Sequence, residues 1–175
     1  MRIGIDIDNV IADTYNDLSG FFHKFLKHEV PSQDVVQIMQ KRKMLMYAYF
    51  FKAWREKVML GVNLIEGARE TIQEWAKEHQ IILVTSRFKM FNRQTKDWLA
   101  KHQIPYHELH HAKETTKFKK TGETDLFIED NFHECEVLAD HSKKVFLFDR
   151  PWNQKTPSKG NIIRVKDWQD ISHYL

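Results

Sequence analysis

The chain has one cysteine, Cys135, in 175 residues, which excludes an internal disulfide and suits a reducing compartment. Glycine and proline are also sparse, at six and four, and no low-complexity tract, internal repeat or linker interrupts the sequence. No stretch approaches the ~18 apolar residues that a membrane span requires. Arg2, Asp6 and Asp8 break the apolar run at the start, so a secretory signal is not expected either. An excess of one charge is missing too: 27 basic residues face 24 acidic ones, for a net charge of +3. A dedicated nucleic-acid binder carries a larger basic excess, concentrated on one face. No stable nucleic-acid partner and no membrane are therefore expected, and a small anionic substrate fits. The expectation is a soluble, cytoplasmic protein.

What is present argues for a folded core. A content of 42% apolar and 13% aromatic residues is too high for a disordered chain, and the length suits one domain. Short apolar runs at Ile3–Asp8, Ile81–Thr85, Tyr106–His110, Asp125–Glu129, Val145–Asp149 and Ile162–Val165 read as strands. Between them, amphipathic stretches at Gly67–His79, Asn92–His102, Lys113–Thr121, Phe132–Asp140 and Asp167–His173 read as helices, with Gly122 as the stop after the third. This alternation predicts an α/β fold, a Rossmann-like parallel sheet with helices on both faces. Ligands of such sheets bind beyond the carboxyl ends of the strands.

One segment is surplus to that alternation. Residues 14–62 read as a small helical cap inserted after the first strand, leaving 1–13 and 63–175 as the α/β core. Leu18, Phe21, Phe22, Phe25 and Leu26 mark one amphipathic face. Ser32, after Pro31, reads as the N-cap of a second helix through Val35, Val36 and Met39. The run "MLMYAYFFKAW" follows. Phe21, Phe22, Tyr47, Tyr49, Phe50, Phe51 and Trp54 form the pool from which a stacking platform for a substrate is expected, although burial in packing explains most of them.

Chemistry-bearing residues gather at the predicted strand ends. "DID" puts Asp6 and Asp8 on one face of the first strand, where each carboxylate should raise the other's pKa unless a cation intervenes. Thr85 and Ser86 end the second strand, with hydroxyl and backbone N–H groups suited to phosphate. Glu129 and Asp130 end another strand as a second acidic pair. Lys113 stands near a helix start, where a lysine opposes the helix dipole unless its charge is used elsewhere.

Acid pair, hydroxyl, lysine, acid pair, in that order, resembles the haloacid-dehalogenase-like phosphohydrolases. Within them, "DIDNVIAD", "TSRFKMF", "DLFIEDN" and "LFDRPWN" resemble the 5′-nucleotidase branch acting on deoxyribonucleotides, including its bacterial members. The resemblance implies a Mg²⁺-dependent phosphomonoesterase for a small substrate, most simply a nucleoside monophosphate. It also implies Asp6 as nucleophile and Asp8 as general acid and base. Thr85, Ser86 and Lys113 would hold phosphate; Lys117 and Lys119 stay open as alternatives to Lys113. Asp6, Asp130 and the backbone carbonyl of Asp8 would hold the metal, with Glu129 orienting a metal-bound water. Asn9 stands where the superfamily often has glycine, and Glu129 where it usually has aspartate. A sugar phosphate or a nucleic-acid 3′-phosphate end is the rival substrate. A non-catalytic basic nucleic-acid-binding module is the distant rival function.

Overall fold

In the computed structural model, residues 1–26, 41–172 and 174 are described. Six strands form one sheet: β1 (Arg2–Asp6), β2 (Gln80–Thr85), β3 (Glu108–His111), β4 (Thr124–Glu129), β5 (Ser142–Phe148) and β6 (Ile162–Val165). All neighbours pair in parallel, in the order β3-β2-β1-β4-β5-β6. The alternation of apolar runs and amphipathic stretches dictates this arrangement, because parallel strands need crossover connections. β1 lies in the middle, where the strand order reverses, and the crevice for a ligand opens there.

Seven helices accompany the sheet among the described residues: α1 (Thr14–Leu26), α2 (Lys43–Arg55), α3 (Ala68–Trp75), α4 (Asn92–Lys101), α5 (Phe118–Thr121), α6 (Phe132–Leu138) and α7 (Trp168–Ser172). Two apolar clusters cover the two faces of the sheet. Ile3, Ile5, Ile81, Leu83 and Ile128 meet Ile72 and Trp75 of α3, Trp98 and Leu99 of α4, and Trp168 of α7. On the other face Ile82, Val84, Phe127 and Val145 meet Cys135 and Leu138 of α6. Burying both faces explains why the strands read as continuous apolar runs. Cys135 is buried here as a small apolar residue.

Gly4 marks a close approach inside the sheet. Its register partner on β4 is Phe127, and a Cβ on Gly4 would lie 2.3 Å from that ring. The aromatic ring therefore lies across the glycine, and this position of β1 admits no side chain.

Between β1 and α3 run α1 and α2. Phe21, Phe22 and Phe25 of α1 surround Tyr49 of α2 with ring centroids 5.4, 5.2 and 5.6 Å away. Phe50 packs on Phe88, at 5.1 Å. The helix expected after Ser32, through Val35, Val36 and Met39, lies outside the described residues. Among the described residues no helix is long and apolar enough to cross a membrane.

Lys113–Thr121 does not form one helix. Thr115 adopts φ 60°, a left-handed conformation that ends any regular turn, and only Phe118–Thr121 is helical. Gly122, at φ 65°, stops it as expected.

Candidate active site

The sheet delivers its polar residues to one place. A cavity of about 650 Å³ opens at the carboxyl ends of β1 and β4, lined by Asp6, Asp8, Ser86, Lys117, Glu129 and Asp130 among others.

β1 stops at Asp6 and does not continue to Asp8 as its sequence suggests. Asn9 takes φ 62°, turning the chain sharply, and its N–H donates to the Ala12 carbonyl at 2.7 Å. Asparagine tolerates this left-handed geometry, which accounts for a non-glycine residue here. Its side chain ties the turn to its surroundings: Oδ1 accepts from the Tyr15 N–H at 2.8 Å, and Nδ2 donates to Asp130 at 3.2 Å.

The turn gives the two acids different partners. Asp6, 4% exposed, accepts from Lys117 Nζ at 2.6 Å. The same ammonium donates to Glu129 at 2.6 Å. Burial raises the Asp6 carboxyl well above its usual range; Lys117 opposes this, and Glu129, Asp8 and Asp130 reinforce it. Lys117 keeps its proton: burial works against the charge, but Asp6 and Glu129 hold it well above the ordinary lysine value. Asp130 is pushed up to about 8, by burial first and then by Glu129.

Asp8 behaves in the opposite way. Burial acts to raise it, yet Arg87, then Thr14 and Thr85, hold it below the usual carboxylate range. Arg87 Nη2 and Nε donate to Asp8 Oδ1 at 2.8 and 3.0 Å, and Nε also reaches Oδ2 at 3.1 Å. The Thr14 hydroxyl donates to Oδ1 at 2.5 Å and the Thr85 hydroxyl to Oδ2 at 3.1 Å. The expectation that a neighbouring carboxylate raises Asp8 is therefore corrected, because a buried guanidinium dominates its surroundings.

Lys113 is exposed at the surface, and the lysine of the acid cluster is Lys117. The turn at Thr115 redirects the chain, so a residue one helical turn later points inward. Thr85 is fully buried with its hydroxyl on Asp8, while Ser86 is exposed and lines the cavity. The Asp8 side chain stands apart from the oxygen cluster formed by Asp6, Glu129 and Asp130, whose ligand atoms lie within 4.8 Å of one another. Once ionised, these three buried carboxylates exceed the one ammonium by two negative charges, the charge of one divalent cation.

Three participants receive no individual role from the sequence. Arg87 is of a type that usually lies at the surface, yet only 8% of it is exposed; its position two residues after Thr85 is the available signal. Trp152 donates from Nε1 to Asp130 Oδ2 at 3.1 Å. Glu134, in the first turn of α6, is buried against the cavity, accepts from the Thr115 N–H at 2.5 Å, and has a second oxygen with no hydrogen-bond partner.

The whole chain, residues 1–175, matches the family of 5′ nucleotidase, deoxy (Pyrimidine), cytosolic type C proteins. The chain belongs to this 5′-nucleotidase family. A nucleotidase of Clostridium acetobutylicum is 28% identical, over 98% of this chain and 91% of its own length. Among solved structures, a haloacid-dehalogenase-superfamily (HAD) hydrolase of Geobacter sulfurreducens shares the fold. It has a TM-score of 0.67 at 11% identity, over 99% of this chain and 95% of its own. The HAD-type protein YfnB of Bacillus subtilis, bound to magnesium, has a TM-score of 0.69 at 12% identity, over 99% and 97%. The chain is thus a hydrolase of the HAD fold, acting on a small phosphorylated substrate.

Proposed function

We propose that this nucleotidase releases phosphate from deoxyribonucleoside monophosphates, as a 5′(3′)-deoxyribonucleotidase, through an aspartyl-phosphate on Asp6. The observation that carries the reading is the contact of Lys117 with both Asp6 and Glu129 at 2.6 Å, beside Asp130. A buried acid held by a lysine at a strand end, open to a 650 Å³ cavity, is placed to meet an incoming phosphate.

The donor set fits Mg²⁺. It is all oxygen, short of two positive charges when its carboxyls are ionised, and contains carboxylates of the kind that share this ion with substrate phosphate. Asp6 and Asp130, with the backbone carbonyl of Asp8, would hold it, and when bound it supplies electrophilic stabilisation of the phosphoryl oxygens.

The protein's own groups divide the remaining work. An Asp6 oxygen attacks phosphorus as the P–O ester bond breaks. Asp8 gives a proton to the departing oxygen, then takes one from the water that hydrolyses the acyl phosphate. In the resting site Arg87 holds Asp8 as the carboxylate, the form required for the second step. A phosphate dianion arriving beside it raises its proton affinity, as the first step requires. Lys117 neutralises charge on the phosphoryl oxygens, and the Ser86 backbone offers a donor at the cavity wall.

Phosphate release from a panel of deoxyribo- and ribonucleoside monophosphates and sugar phosphates, with and without Mg²⁺, tests the reading. Release from deoxynucleotides should require Mg²⁺ and fall at least ~10³-fold in Asp6→Asn. Release from sugar phosphates alone would overturn the substrate.

A further inference from the structure

The aromatic wall of the cavity lies away from the insert's aromatic pool. Phe21, Phe22, Phe25 and Tyr49 pack on one another. The aromatic side chains lining the cavity are instead Tyr15, Phe132 and Trp152. Trp152 is 42% exposed, and its ring centroid stands 4.7 Å from that of Tyr15. An indole left open on a cavity wall offers a flat apolar face to a ligand.

The other edge of that ring is engaged. Trp152 Nε1 and Asn9 Nδ2 donate to the same Asp130 oxygen, Oδ2, at 3.1 and 3.2 Å. With Oδ2 so engaged, Oδ1 is the Asp130 oxygen that would serve a cation, in place of the hydrogen bond Asp130 shares with Glu129 in the metal-free site. The loop that carries Trp152 is pinned as well. Asn153, 1% exposed, donates to the backbone carbonyls of Asp130 and Phe148 at 2.8 Å each, and accepts from Arg164 at 2.7 Å. One residue thus faces the cavity with its ring and touches a carboxylate of the acid cluster with its N–H.

We propose that Trp152 is the leaving-group contact of this site: its ring stacks on the nucleobase, and its N–H on Asp130 couples the seating of that base to the hold on the metal. The proposal rests on the nucleotidase reading above. A base seated on the indole keeps the N–H on Oδ2 and the opposite oxygen aimed at the cation. By linkage, a bound cation then tightens the base by the same factor.

Two substitutions separate the two contacts. Trp152→Phe keeps a ring and loses the N–H; Trp152→Leu loses both. The position is half open, so both variants should fold, which a circular-dichroism melt checks. Calorimetric titration of the substrate-free protein with Mg²⁺ should show affinity weakened severalfold in both variants. At saturating Mg²⁺, Trp152→Leu should raise the KM for a deoxynucleoside monophosphate about tenfold more than that for deoxyribose 5-phosphate, which lacks the base. Trp152→Phe should keep most of the wild-type preference. Unchanged Mg²⁺ affinity in Trp152→Phe would overturn the coupling, and equal KM changes for the two substrates in Trp152→Leu would overturn the stacking. If the wild type hydrolyses sugar phosphates but no nucleotide, the nucleotidase reading fails and the stacking with it. The Mg²⁺ titration still decides the link to Asp130 in that case.

Discussion

Asp6 and Asp8 are the same residue type two positions apart, and the structure gives them opposite proton affinities. Their identities and their place at the end of the first strand were legible because a hydroxyl, a lysine and a second acidic pair follow the D-x-D in order, which a D-x-D alone would not decide. Their partners were not legible. Arg87 and Lys117 lie 79 and 111 residues away from the acids they bind. Which basic residue turns inward depends on a local bend rather than on composition. At Lys113 the dipole argument assumed a helix that Thr115 ends before it begins. Replacing each lysine with methionine tests the correction. Lys117→Met should lower kcat/KM by about 10²–10³-fold at saturating Mg²⁺, as loss of a charge-stabilising donor does. Lys113→Met should change it less than about twofold, since Lys113 is exposed and removed from the acid cluster. Similar losses in both variants would return the phosphate lysine to an open question.

At the scale of elements, all six strands appeared in the sequence, most within one or two residues of their observed ends. Buried parallel strands are continuous apolar runs, so the signal is strong. The exceptions are instructive. β1 ends early because Asn9 turns the chain, and β5 begins at Ser142 and the exposed Lys143, which the apolar pattern leaves out. Nothing local announces Gly4 either, because its reason is a ring on another strand. Gly4→Ala should overpack that contact and cost about 1–3 kcal/mol. For a chain of this size that lowers Tm by roughly 2–4 °C per kcal/mol, read in a thermal melt. Phe127→Leu in the same chain should recover part of the loss. A Gly4→Ala protein as stable as the wild type would mean that the ring can move aside.

For the whole molecule, the acid cluster makes stability depend on pH and on metal together. Asp130, with its carboxyl raised from 3.8 to about 8, holds a proton in the metal-free native state that the unfolded chain releases above about 4. Folding then takes up a proton throughout that window, so metal-free stability should fall as pH rises from about 4 to about 8. The Asp6 shift has the same sign, while the lowered Asp8 acts only below the usual carboxylate range. A divalent cation favours the ionised form and should give its largest gain in Tm at the alkaline end. Melts at pH 5, 7 and 8.5, in EDTA and in Mg²⁺, check both slopes. A flat EDTA series would contradict the raised carboxyls.

The central place of β1 also bears on how the chain is made. Its neighbours β2 and β4 are built much later, and 123 residues separate Asp6 from Glu129. At a synthesis rate of ~5–20 residues per second, the first strand waits roughly 6–25 seconds for its second partner. Until β2 emerges, after roughly 4–16 seconds at the same rate, both edges of Ile3–Ile7 are unpaired, and the edge that meets β4 stays open for the whole interval. On the ribosome this open edge, a feature the finished sheet no longer presents, is a surface for a chaperone to cover.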